Sequence, residues 1–85
     1  MAAVDPLNGA GELVRIGDFF LTGSQARDAR ARVRTRIEEQ GPVTVAEIRD
    51  LLGTSRKYAV PLCEWLDRTG ATRRHGDLRA LGPTP

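Results

Sequence analysis

One cysteine, one histidine, one tryptophan, one tyrosine and two phenylalanines in 85 residues remove several kinds of chemistry at the outset. Cys63 has no partner for an internal disulfide, and with His75 alone beside it no zinc cluster can be assembled. A reducing compartment fits that usage. No apolar run approaches the roughly 20 residues that a membrane span requires. The start of the chain, MAAVDPLNGAG, lacks the basic region and long apolar core of a signal peptide, so a cytoplasmic location is expected. The same stretch continues as NGAGE without the Lys-Ser/Thr of a phosphate-binding loop. Cys63 falls on an apolar stripe, where a thiol acts as a small hydrophobe rather than a nucleophile. No pair of carboxylates stands poised for acid–base work. An enzymatic role is excluded for this chain, and no cofactor or metal is expected.

What is present suffices for one small domain, with a core built on Leu, Val, Ile and Ala. A domain of this length hides only about 60–65% of the surface its unfolded chain exposes. The formal net charge of +2 is too small to name a partner, so the placement of the charges carries the information.

Residues 1–11 are small, Gly-rich and contain Pro6; they read as a linker or frayed terminus. ELVRIGDFFLT (residues 12–22) is β-branched and aromatic, punctuated by Gly17-Asp18, and predicts a short hairpin or strand. SQARDARARVRTRIEEQG (residues 24–41) predicts the longest helix, capped by Ser24 and ended by Gly41, with Ala26, Ala29, Val33 and Ile37 on one stripe. Asp28–Arg32 and Arg34–Glu38 are spaced as i,i+4 pairs. PVTVAEIRDLLG (residues 42–53) contains a capping box, Thr44 with Glu47, and an apolar stripe of Val45, Ile48, Leu51 and Leu52.

A third helix is predicted over residues 54–70, with Thr54 and Ser55 available as caps. Ala59, Leu62, Cys63 and Leu66 face inward, flanked by Tyr58 and Trp65. Pro61 lies inside it and deletes the bond to the Lys57 carbonyl. ATRRHGDLRALG (residues 71–82) reads as strand, turn and strand, turning at His75-Gly76-Asp77 with Leu78 and Leu81 as apolar anchors. Residues 83–85 form a tail without helix or strand signal, and the chain has no internal repeats. Two helices joined at Gly53, followed directly by a hairpin, predict an α+β winged helix over residues 12–82: three helices, a small antiparallel sheet and a β-hairpin wing.

The five arginines of the first helix, Arg27, Arg30, Arg32, Arg34 and Arg36, read as a solvated face. Arg49, Arg56 and Lys57 at the helix-turn-helix and Arg73, Arg74, His75 and Arg79 on the hairpin are different, because a winged helix lets these two regions flank one surface. Arg56 and Lys57 also sit at a helix start, where the dipole disfavours positive charge. There, amides and side-chain cations together suit an anion such as phosphate. Nucleic-acid contact follows from that placement. Tyr58 either anchors the third helix or stacks on a base; its spacing with Leu62 and Trp65 favours the core.

Residues 44–81 carry the pattern RDLLGTSRKYA.PL.E..D..G.TRR.GD.R, and through it the chain resembles the last winged-helix domain of bacterial selenocysteine-specific elongation factors. That family is a translational GTPase delivering selenocysteinyl-tRNA to the ribosome at a UGA codon. The resemblance implies that this domain binds the selenocysteine insertion (SECIS) element, an mRNA hairpin beside that codon, while GTP and Mg belong to a domain this chain does not contain. It implies that Ser55, Arg56, Lys57 and Tyr58 meet the hairpin from the third helix, and Arg73, Arg74 and His75 from the wing, with Arg79 nearby. Pro61 belongs to the family stretch, and Cys63 replaces a commoner leucine, which suits a core site. The alternative is a DNA-binding winged-helix transcription regulator, reading paired half-sites as a dimer. No dimerisation helix is evident, so a monomer is expected. A protein-interaction winged helix is a third possibility.

Overall fold

The computed structural model describes residues 13–84. The linker expected over residues 1–11 lies outside the described residues. Strands β1 (Leu13–Ile16) and β2 (Phe19–Thr22) form the first hairpin, with Leu13 opposite Thr22 and Ile16 opposite Phe19. Alternation along the pair turns Ile16 fully inward, with Val14, Phe19 and Leu21 packed against the core, and leaves Leu13 and Phe20 exposed.

Helix α1 (Gly23–Gln40) follows without a linker. Its cap is Thr22, not the expected Ser24. The Thr22 hydroxyl accepts from the Gln25 amide, and the Gln25 side chain accepts from the Thr22 amide, both at 3.0 Å. The strand runs straight into the helix, so its last extended residue holds the cap position while Ser24 is already in the first turn. Ala26, Ala29, Val33 and Ile37 form the buried stripe as expected. The Asp28–Arg32 pair is present at 3.8 Å. Arg34 does not use Glu38. Its Nη1 donates to the carbonyls of Ala71 (2.7 Å) and Thr84 (2.8 Å), and Arg30 also reaches Thr84. Arg36 reaches Glu47 at 3.3 Å. The arginine face is therefore partly a set of clasps. Carbonyls outside the ladder need donors, and the guanidinium forks supply them.

Ahead of the helix that the Thr44 cap predicts, Val43–Thr44 forms a two-residue strand, β3, for which the sequence gives no expectation. Val43 is buried and faces Arg79 across the sheet. Helix α2 (Val45–Leu52) has the expected capping box: Thr44 accepts from the Glu47 amide at 3.1 Å, and Glu47 accepts from the Thr44 amide at 2.8 Å. Gly53 ends it in the left-handed conformation, with Gly53 and Thr54 donating to Asp50 and Arg49. That residue is the turn of the helix-turn-helix.

Helix α3 (Arg56–Arg68) buries Ala59, Leu62, Cys63 and Leu66, with Trp65 packed at the edge. Pro61 faces the first hairpin. A Cβ built on Gly17 would sit 2.8 Å from the Pro61 Cβ, so the proline ring and the β1–β2 turn are in direct contact. The missing amide of Pro61 falls at the helix's second turn, where its loss is compatible with this docking.

The wing consists of β4 (Thr72–His75) and β5 (Leu78–Leu81), turning at Gly76-Asp77. Its sheet has the order β3-β5-β4, all antiparallel. The fold is the expected α+β winged helix, with the small sheet joined by a separate two-stranded hairpin. The apolar anchors are corrected: Leu78 and Leu81 are 40% and 37% exposed, while Arg79 is 4% exposed. The two-residue turn sets Arg79 opposite Arg74 on one side and Val43 on the other, on the core side of the sheet. The tail segment has no helix or strand but is held: Gly82 donates to Ala71 and Thr84 to Gly70.

Candidate nucleic-acid interface

Ser55 takes the N-cap position of α3 in an extended conformation, yet its hydroxyl makes no capping bond and is exposed. No acidic side chain lies in the first turn of α3; Arg56 and Lys57 do. The helix thus begins with neither a side-chain cap nor a counter-charge, unlike α2, where Thr44 and Glu47 supply both.

Arg56 and Arg74 line a common groove of about 420 Å³ between the start of α2, the outer side of α3 and the wing. Thr44, Val60, Glu64 and Asp77 also line it, and Arg79 lies at its base. The convergence expected of helix and wing is therefore realised for these two cations. Both are exposed.

Arg79 is a different kind of residue from the surface contact expected of it. Its Nη2 donates to Asp67 Oδ2 at 3.0 Å, and its side chain is 5% exposed. Asp67 also accepts from the Thr72 hydroxyl at 2.7 Å. The guanidinium is part of the interior, and its Nε has no partner.

Period-two alternation puts Arg73 and His75 on the face of the wing opposite Arg74 and Arg79. Both are exposed, and their cross-strand neighbours are Ala80 and Leu78. The three consecutive wing residues Arg73, Arg74 and His75 thus present two surfaces. Arg49, in the last turn of α2, is drawn to its neighbour Asp50 at 3.1 Å.

Lys57 and Tyr58 border a second cavity with Gly17, Asp18, Phe19 and Pro61. The Tyr58 ring meets Phe19 edge-on at 4.9 Å, and the Lys57 ammonium lies 5.6 Å from the Tyr58 centroid. Tyr58 is nevertheless 41% exposed. It anchors α3 to the first hairpin and still presents part of its surface to solvent.

Cys63 is fully buried, and desolvation pushes its thiol up to about 11, so the core reading holds. Among the described residues, no cluster of His, Cys, Asp and Glu could hold a metal ion, and no helix is long and apolar enough to cross a membrane.

The family described as "Elongation factor SelB, winged helix" matches residues 35–81. The selenocysteine-specific elongation factor of Haemophilus influenzae is 44% identical over 63 residues, which cover 74% of this chain and 10% of that protein. The chain belongs to the SelB winged-helix family. The corresponding factor of Desulfomicrobium baculatum is 33% identical over 72 residues, 84% of this chain and 11% of its own length. The chain thus spans about a tenth of these SelB relatives. Among solved structures, the mRNA-binding domain of SelB from Escherichia coli in complex with SECIS RNA is similar with a TM-score of 0.77 and 32% identity. The match covers 85% of this chain and 60% of that one. These matches do not favour the DNA-binding alternative.

Proposed function

We propose that this SelB domain binds a SECIS mRNA hairpin and thereby tethers a selenocysteine-specific elongation factor beside a UGA codon in the cytoplasm. The observation that carries the reading is the likeness to the Escherichia coli domain solved with SECIS RNA. The open groove with Arg56 on α3 and Arg74 on the wing supports it. GTP, Mg, selenocysteinyl-tRNA and the ribosome are the business of other parts of the longer factor.

The chemistry of the groove suggests the division of labour. The major groove of A-form RNA is too deep and narrow for a recognition helix, so readers take loops, bulges and splayed bases. Arg56, Lys57 and the uncapped amides of α3 clamp backbone phosphates, helped by Arg74 from the wing. Arg73 and His75 contact RNA only where it wraps the other face of the wing, and Arg49 acts at the edge. Glu64 and Asp77 repel phosphate, yet they suit the donor edge of an exposed base. Ser55 and the free part of Tyr58 complete the reading of such a base.

The test is fluorescence anisotropy with four probes: the SECIS hairpin of the Escherichia coli complex, hairpins with a randomised loop, a DNA duplex of the same stem and an unrelated RNA. Selective binding of hairpins is expected. With five or so phosphates neutralised, log K falls against log salt with a slope of roughly −3 to −5. Equal affinity for every probe, or a flat salt response, overturns the reading.

A further inference from the structure

We infer that Asp67 is a positioning residue for RNA reading: it never touches the RNA but sets the angle of the wing against α3. The inference rests on the proposed function for its consequence, though not for its geometry.

Asp67 lies near the end of α3, eleven residues beyond Arg56, about 16 Å along a helix that rises ~1.5 Å per residue. Its two oxygens hold both strands of the wing. Oδ1 accepts from Thr72 on β4 at 2.7 Å, and Oδ2 accepts from Arg79 on β5 at 3.0 Å. Thr72 is 2% exposed and Arg79 4%, so both donors are withdrawn from water, while the Asp67 side chain is 23% exposed. Charge-assisted hydrogen bonds, here one from a guanidinium and one from a hydroxyl, are strong in such surroundings and tolerate little misalignment.

The clamp sits where wing geometry is decided. β5 is the central strand of its sheet, and Arg79, like its neighbour Leu78, is paired on both sides: with Val43 on β3 and Arg74 on β4. Val43 precedes Thr44, the cap of α2. One carboxylate therefore links α3, both wing strands and, through the sheet, the start of α2. These are the elements whose residues line the groove shared by Arg56 and Arg74. The two leucines of β5 do not anchor the wing in the core as Arg79 does: Leu78 and Leu81 are 40% and 37% exposed, Arg79 4%.

The test uses Asp67→Asn, which keeps an acceptor but removes the charge, and Thr72→Val, which removes one arm alone. Residual dipolar couplings of residues 72–81 are measured against those of α3 without RNA, at a temperature where each variant is folded. Asp67→Asn is expected to reorient the hairpin as a unit. Superimposable couplings overturn the inference whether or not RNA binds. With the best-bound hairpin, a double-mutant cycle then pairs Asp67→Asn with Arg74→Ala. In the native background Arg74→Ala is expected to weaken binding about tenfold, and in the Asp67→Asn background by less than twofold, with a shallower salt slope. An equal factor in both backgrounds overturns the inference, while absence of hairpin binding by the unaltered domain overturns only the proposed function.

Discussion

Arg74 donates from Nε to the carbonyl of Gly76 at 3.0 Å. Arg15 makes the same bond to Gly17, at the same distance, in the other hairpin. RIGD and RHGD are thus one turn written twice, the glycine taking a positive φ of 60° in each. With Nε occupied, the outer nitrogens of Arg74 are oriented before any ligand arrives. Arg74→Lys keeps the charge and loses that orientation. Hairpin affinity is expected to fall roughly threefold, on the order of 0.7 kcal/mol and less than for Arg74→Ala, with the salt slope unchanged. Anisotropy titrations at two salt levels check both halves; full affinity for the lysine variant sinks the argument.

The contact of Gly17 with Pro61 makes a sharp stability prediction. Gly17→Ala places a methyl 2.8 Å from a proline carbon and asks alanine to adopt φ of +60°. A loss of about 1–3 kcal/mol is expected, with Tm falling by roughly 4–8 °C per kcal/mol in a domain this small. Adding Pro61→Ala does not relieve the steric part, because Ala retains the offending Cβ, but Pro61→Gly does. Thermal unfolding of the single and double variants tests this: no recovery in Gly17→Ala/Pro61→Gly contradicts the contact.

Glu47 predicts the acid limb of stability. The Thr44 amide, foremost, holds its carboxyl below the usual value; the Thr44 hydroxyl and Arg36 add to this, while burial and Asp50 oppose it. The folded state therefore favours the ionised form. Its contribution is complete above the unfolded pKa of about 4.3 and is lost as pH falls through the lower folded value. The difference in Tm between the native chain and Glu47→Gln should narrow as pH falls below about 4. A difference constant from pH 7 to 3 would remove the carboxylate from the account.

Arg34 separates stability from binding. Arg34→Ala leaves the Ala71 and Thr84 carbonyls without this donor. Stability is expected to fall by about 1–2 kcal/mol, with hairpin affinity unchanged at a temperature where the variant is folded. Loss of affinity under those conditions would place α1 in the interface.

Much of this architecture could be read before the structure, because it depends on local signals. The Thr44 capping box, the stop at Gly53 and the inward stripes of α1 and α3 each lie within a few residues of their cause. The departures depend on distant partners. Arg79 is drawn inside by Asp67, twelve residues earlier, and no pattern within LRAL distinguishes that from the apolar alternation that would bury its leucines. Val43 becomes a strand only because β5 lies alongside it. Arg34 finds acceptors 37 and 50 residues away. The candidate site divides likewise. The cations were identifiable by type, but the strand period that sends Arg73 and Arg74 to opposite faces required the register. The repeated R-x-G-D was the available signal for how Arg74 is held.

The buried thiol of Cys63 has a practical consequence. A group held protonated to about pH 11 and wholly screened from solvent is inert to maleimides and iodoacetamide under native conditions. A fluorophore can therefore be attached through a new cysteine on the exposed face of the first hairpin, such as Phe20→Cys, away from the groove, while the native cysteine stays in place, and arrival of an RNA can be followed by its anisotropy in real time.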